Sequence, residues 1–167
     1  MKESDKNLWA AFAGESQANR KYLAFAKKAE EDGQKGVAKL FRAAAAAETV
    51  HAHHHLEVAG GVKSTLENLK AAFEGEHHEF SEMYPGFLAI AEKEKHAKAK
   101  KSFHWANEVE KIHGDLYTKA IAAVEAGQTY PEQDWYICPK CGYTVAGEVP
   151  EKCPVCAEKK KNFVKVD

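Results

Sequence analysis

Apolar side chains recur at three- and four-residue intervals in four stretches of the chain, the spacing that puts them on one face of an α-helix. Leu8, Phe12, Glu15, Tyr22, Ala26 and Ala29 share the first stripe, and Val37, Phe41, Ala44, Glu48, His51 and Val58 the second. Leu69, Phe73, Glu76, Phe80 and Met83 make the third, and Phe103, Ala106, Glu110, His113, Tyr117 and Ala120 the fourth. The first helix is expected from about Ser4 to Asp32, with Ser4 or Asp5 as its N-cap, and the second from beyond the Asp32-Gly33-Gln34 turn to Ala59. Gly60-Gly61 stops the second helix, and Ser64 or Thr65 with Glu67 caps the third. Pro85-Gly86 predicts a kink or break after Tyr84, and the fourth helix is expected from Glu94 to Ala126, ending at Gly127. The run Ala43 to Ala47 gives high helix propensity and a thin surface on which a neighbouring helix can approach closely beside Glu48.

The stripes are interrupted where apolar side chains are expected. Glu48-x-x-His51, Glu76-x-x-Glu79 and Glu110-x-x-His113 each place two polar groups on one helix face, and Glu15 stands alone in the first stripe. A buried carboxylate is costly unless it is paired or binds a metal. A di-iron or di-manganese carboxylate bundle takes one Glu from each of two helices and a Glu-x-x-His from each of the other two. Glu15 and Glu76 fill the first role, and Glu48/His51 and Glu110/His113 the second. A single Glu-x-x-His on a charged helix is usually only a solvated face; two copies in the correct helix order, on core stripes, point to metal. His53, His54 and His55 diverge by about 100° per residue and cannot converge on one ion, although His55 lies near the core stripe. His77, His78, His96 and His104 are expected to be exposed or incidental.

After the helices the pattern changes. Residues 1–127 form the helical bundle, 128–134 with Pro131 a linker, and 135–167 a small β-rich domain with strand-like pieces at Trp135-Tyr136-Ile137, Tyr143-Thr144-Val145 and Phe163 to Val166. All four cysteines lie there, in Cys138-Pro-Lys-Cys141-Gly142 and Cys153-Pro-Val-Cys156. Two such knuckles supply a tetrahedron of thiolates that suits Zn²⁺ or a single iron, and both remain open on the motif. A metal clip of this kind fits a reducing compartment better than a disulfide framework. The formal net charge of −1 gives no reason to expect nucleic acid or an anionic membrane as partner. The first residues lack an apolar signal segment and no apolar run is long enough to span a bilayer, so a cytoplasmic protein is expected.

These residues resemble rubrerythrin: Gly14-Glu15-Ser16-Gln17-Ala18, Glu48-Thr49-Val50-His51-Ala52, Gly75-Glu76-His77-His78-Glu79, Glu82-Met83-Tyr84-Pro85, Glu110-Lys111-Ile112-His113 and the two knuckles. The resemblance covers nearly the whole chain. It implies an all-α ferritin-like four-helix bundle holding two Fe, joined to a rubredoxin-like domain holding one Fe in its four-cysteine site. By the same resemblance, Glu48 and Glu110 bridge the irons, Glu15 holds the first, and Glu76 and His113 the second. Glu79 (oxidised) and His51 (reduced) alternate on the first iron, and Tyr22 and Tyr84 hydrogen-bond ligand carboxylates. One departure stands out: Ala157 follows Cys156 where the family usually has Gly, which puts the hydrogen bonding of that knuckle and the tuning of its metal in question.

The implied activity is peroxidase: hydrogen peroxide reduced to water, with electrons from an external donor, a reductase or small redox protein, relayed through the iron of the four-cysteine site. A ferroxidase or iron-handling protein on the same bundle, and a non-catalytic protein whose zinc ribbon binds a partner, are the rival readings. Ferritin-like topology also makes the second and third helices parallel, so their connection must climb roughly 30 Å along the bundle. Gly60 to Ser64 reaches at most about 18 Å. A homodimer that exchanges helix pairs removes this conflict, as does an up-down-up-down bundle. Because Glu110 lies roughly 25 Å from the end of its own helix, the nearest four-cysteine site is expected to come from a partner chain.

Overall fold

The helices form as the stripes predict, in two separate packing units that divide at Lys63/Ser64. The structure, a computed structural model, describes residues 2–166. In the first unit α1 (Glu3–Glu31) packs along α2 (Lys35–Val58). The seam between them is built from small side chains, with Ala26 and Ala29 on α1 and Ala38, Ala45 and Ala52 on α2 all buried. The α2 alanines recur every seven residues, so they line one edge of the helix and let the backbones approach closely. Asn19 fastens the seam, its Nδ2 donating to the Ala45 carbonyl at 2.7 Å and to Thr49 Oγ1 at 2.8 Å. Two helices cannot enclose the larger residues. Leu23, Phe25, Leu40 and Val50 are exposed, and Val37 and Val58, expected in the core stripe, are 43% and 58% exposed.

The second unit contains α3 (Thr65–His78), a π-helical turn (Glu79–Met83), α4 (Tyr84–Lys93), α5 (Ala97–Glu125) and the sheet. Ser64 caps α3 as expected, accepting from the Glu67 amide at 3.3 Å while the Glu67 carboxylate accepts from the Ser64 amide at 3.2 Å. The cap of α1 is Lys2 rather than Ser4 or Asp5; Asp5 sits at the third position and accepts from the Lys2 amide at 3.0 Å. α5 begins at Ala97 rather than Glu94, because Lys95 takes φ 56° and His96 becomes the cap, its Nδ1 accepting from the Ala99 amide. The expected break at Pro85 comes earlier and in another form. Proline lacks an amide hydrogen and its ring crowds the carbonyl four residues back. The chain meets this with a wider turn over Glu79–Met83, after which Pro85 sits in the first turn of α4. Phe80, from the wide turn, packs on α5 at Gly114, where a β-carbon would lie 3.0 Å from its ring.

The strands β1 (Trp135–Ile137), β2 (Thr144–Ala146) and β3 (Val164–Val166) form an antiparallel sheet ordered β2-β1-β3, with Trp135 opposite both Ala146 and Val166. This cysteine-bearing domain lies against α5 of its own chain. A β-carbon at Gly142 would be 3.7 Å from Val109, and Lys140 Nζ lies 5.6 Å from the centre of the Trp105 ring. The expectation that Glu110 finds its nearest cysteine site on a partner chain is therefore overturned for this unit. Residues 128–134 can span about 25 Å when extended. That matches the roughly 23 Å from Glu110 to Glu125 along α5, so the linker carries the domain back up the helix. Among the described residues, no helix is long and apolar enough to cross a membrane.

Candidate metal centres

Each unit presents one compact group of metal-ligating side chains from its helices. In the first unit, α1 contributes Glu15 and α2 contributes Glu48 and His51, with one ligand atom of each within 4.8 Å of the others. His51 Nδ1 lies 2.9 Å from Glu48 Oε2. In the second, α3 contributes Glu76 and α5 contributes Glu110 and His113, again within 4.8 Å. His113 Nδ1 lies 2.8 Å from Glu110 and 3.6 Å from Glu76. The two groups share one grammar: a Glu from the first helix of a pair, a Glu-x-x-His from the second, and the imidazole turned with Nδ1 towards the carboxylates. They differ in exposure, since the His51 side chain is 55% exposed and that of His113 28%.

Electrostatics test whether a cation fits. Burial, and then the neighbouring Glu110 charge, push the Glu76 carboxyl up to about 7. Burial and Glu110 likewise raise Glu79, which sits in the wide turn within the field of the group. The hydrogen bond to Glu110 raises His113 despite burial, which opposes it. Two carboxylates drawn from water towards one another hold their protons unless positive charge stands between them. A divalent cation supplies that charge, and the oxygen and imidazole donors suit iron, manganese or zinc.

Tyr84, expected beside the carboxylates, is raised by burial and then by the charges of Glu79, Glu110 and Glu76. Tyr22 packs among Phe25 and Phe41, with ring centres 6.3 and 6.1 Å away, two turns beyond Glu15. Two residues of the second group are not evident from the sequence as site residues. Tyr117, on the core stripe, is raised by burial and by Glu76 and Glu110. Thr144 comes from β2 and meets His113 at 2.9 Å. Leu69, Glu76, His113, Tyr117, Trp135 and Thr144 are among the residues lining a cavity of about 390 Å³ that opens on this group. His77, His78, His96 and His104 are exposed, as expected; His53 and His54 are exposed as well, and His55 is half-buried.

The four cysteines form the third group. Cys138 and Cys156 Sγ are 3.5 Å apart, as are Cys141 and Cys153, and all four lie within 4.8 Å. A metal–sulfur tetrahedron with bonds of about 2.3 Å has edges of about 3.8 Å, so the cage already has the size a metal requires. In the first knuckle Gly142 takes φ 87° and donates to the Cys138 carbonyl at 2.9 Å. In the second, Ala157 takes φ 58° and donates to the Cys153 carbonyl at the same 2.9 Å. The departure from Gly thus leaves the turn and its hydrogen bond intact, and its cost is the steric strain of a left-handed β-carbon.

Comparison with known proteins shows the same division of the chain. The rubrerythrin family model matches residues 6–121, and the model of the rubrerythrin rubredoxin-like domain matches 136–164. The chain belongs to the rubrerythrin family. Rubrerythrin-2 of Clostridium acetobutylicum is 35% identical over 93% of this chain and 92% of its own length. Nigerythrin of Nitratidesulfovibrio vulgaris is 37% identical over 95% of this chain and 84% of its own. Solved nigerythrin structures, including a fully reduced, all-ferrous state, share 36% identity and a TM-score of 0.57 over 99% of this chain and 88% of theirs. The family match and the grouped side chains support a di-iron carboxylate site and a four-cysteine rubredoxin-like metal site in this chain.

The geometry sets two expected outcomes. Glu76 titrates near 4.5 in the unfolded chain and near 7 in the fold, so the metal-free fold holds the extra proton between those values. Its stability falls as pH rises from about 4.5 through 7, the raised His113 adds a further loss above its ordinary range, and saturating metal removes this slope. Urea unfolding across pH with and without metal checks the sign. Ala157→Gly relieves the left-handed strain and should stabilise the cysteine domain by about 1 kcal/mol, read as a higher midpoint for loss of its metal-bound absorption on heating.

Proposed function

We propose that this protein is a cytoplasmic non-haem di-iron peroxidase that reduces hydrogen peroxide to water with electrons delivered through its four-cysteine site. The observation that carries the reading is the docking of a four-thiolate cage on α5 beside Val109, one residue before Glu110, with His113 one turn further on. A donor set for hard cations and one for a single thiolate-bound metal are thereby held on one helix. The nigerythrin structure in a fully reduced, all-ferrous state supports iron as the metal of this chain. Reduction of one peroxide takes two electrons and two protons and yields two waters. A ferrous pair supplies the electrons when bound. The protein supplies the rest: Glu79, raised above its ordinary range by burial and then by Glu110, stands next to the ligand group, where a carboxyl can pass a proton to a leaving hydroxide. Tyr84 and Tyr117 stay protonated and available as hydrogen-bond donors to the carboxylates.

Each helix unit holds one three-residue group of the bundle ligands, and the first leaves Leu23, Phe25, Leu40 and Val50 exposed. These facts support a homodimer in which α1 and α2 of one chain close on α3 and α5 of another. Glu48 to Val58 and Thr65 to Glu76 together run about 31 Å along the helix axes. The six residues 59–64 reach about 25 Å, too little to set α2 and α3 of one chain parallel with their ligands level.

Glu79→Ala should keep both bundle irons yet lose most peroxide turnover, whereas Cys141→Ser should lose turnover through an external donor while its chemically prereduced bundle still reacts once with peroxide. Stopped-flow absorbance reads both, and a prereduced Cys141→Ser protein inert to peroxide argues against the relay. Metal analysis with the visible spectrum separates iron from zinc. For the exchanged dimer, two inactive chains are co-expressed, one with Glu48→Ala and the other with Glu110→Ala. Helix exchange rebuilds one intact site per mixed dimer and restores activity; chains that each close their own bundle give none.

A further inference from the structure

The imidazole of His113 has two neighbours of different origin. Nδ1 faces the carboxylates of Glu110 and Glu76, at 2.8 and 3.6 Å, inside the helical site. Nε2 faces the opposite way and lies 2.9 Å from Oγ1 of Thr144, a residue of the cysteine-bearing domain. The hydroxyl hydrogen of Thr144 is already committed, since Oγ1 donates to the Gly142 carbonyl at 2.9 Å. Towards His113 the oxygen can only accept, so Nε2 carries the hydrogen and Nδ1 is the nitrogen left to offer a lone pair to a cation. Gly142 is in turn fixed by the first knuckle, its amide donating to Cys138.

We infer that Thr144 is a positioning residue for the His113 metal group, supplied by the cysteine-bearing domain. It selects the Nε2–H tautomer and holds the ring so that Nδ1 points at the site, making cation affinity at Glu76, Glu110 and His113 depend on the folded cysteine knuckle. A metal-bound histidine commonly donates its second ring N–H to an orienting acceptor, and loss of that acceptor weakens metal binding by about 10- to 100-fold. In this chain the acceptor belongs to the domain that carries the other metal. The two sites are therefore coupled: filling the cysteine cage stiffens the knuckle, the knuckle fixes Thr144, and Thr144 fixes His113. By reciprocity, a cation at His113 also steadies the docked domain.

The inference rests on the assignment of the bundle ligands, so its test reads metal binding and not peroxide turnover. Thr144→Val keeps the shape of the side chain and removes the hydroxyl; Thr144→Ser keeps the hydroxyl. Full-length protein with zinc in the cysteine cage is titrated with Co²⁺, and the bundle bands are followed by absorbance. Thr144→Val should weaken Co²⁺ binding to the bundle by about 10- to 100-fold, while zinc stoichiometry in the cage is unchanged and Thr144→Ser binds nearly as the parent does. A Cys153→Ala/Cys156→Ala protein should show the same weakening, because a cage with half its thiolates no longer fixes the first knuckle and, through it, Thr144. Parent-like affinity in Thr144→Val overturns the inference, and so does a Thr144→Ser protein as weak as Thr144→Val. If His113→Ala leaves Co²⁺ binding untouched, the ligand assignment itself is wrong, a failure distinct from the other two.

Discussion

The structure turns on the repulsion between carboxylates that its own helices force together. Glu76 and Glu110 are brought within a few ångströms in partly dehydrated surroundings, and the fold tolerates this only by retaining a proton or accepting a cation. Much of the surrounding architecture serves this arrangement. Each helix pair brings a lone glutamate opposite a Glu-x-x-His, and Asn19 on α1 and the packing of Phe80, from the wide turn, on Gly114 of α5 lock the backbones beside it. The alanine seam of the first unit has the same effect, because small side chains let α1 and α2 come close enough for Glu15 to meet Glu48.

The bundle ligands are legible in the sequence because metal chemistry violates the hydrophobic pattern. A charged residue in an apolar helical stripe stands out whatever the tertiary arrangement, so Glu15, Glu48, Glu76 and Glu110 can be picked out from spacing alone. The cysteine knuckles are legible for a similar reason, since their ligands are close in sequence. Thr144 is not, because nothing about a threonine in a short strand announces a histidine 31 positions earlier. The return of the cysteine domain along α5 is hidden for a related cause. The length of α5 says how far its end lies from Glu110, but only the direction of the linker, which composition does not encode, brings the domain back.

Local backbone choices are harder to read than side-chain chemistry. The cap at Lys2 and the late start of α5 depend on one or two dihedral angles, which composition barely constrains. Ala157 shows the converse. A left-handed position is most easily recognised by its glycine, and here the β-carbon of Ala157 stands in a turn closed by the hydrogen bond to Cys153.

The wide turn at Glu79–Met83 sets the rotational phase of α4. Glu76 and Tyr84 are eight residues apart, which in an uninterrupted α-helix leaves them about 80° out of alignment. A turn that takes up one additional residue brings the difference down to about 20°, and Tyr84 duly feels the charge of Glu76. The wide turn therefore absorbs one residue without carrying its rotation into the helix that follows. Deleting one residue among Phe80, Ser81 and Glu82 and closing the turn to a regular helix would leave Tyr84 seven positions from Glu76, at the same offset of about 20°. Closing the turn with every residue kept would instead rotate Tyr84, Pro85 and α4 by about 100° relative to the carboxylates. The bulge hides one residue from the helical phase, and so Glu76 before it and Tyr84 after it are turned towards the same ligand group.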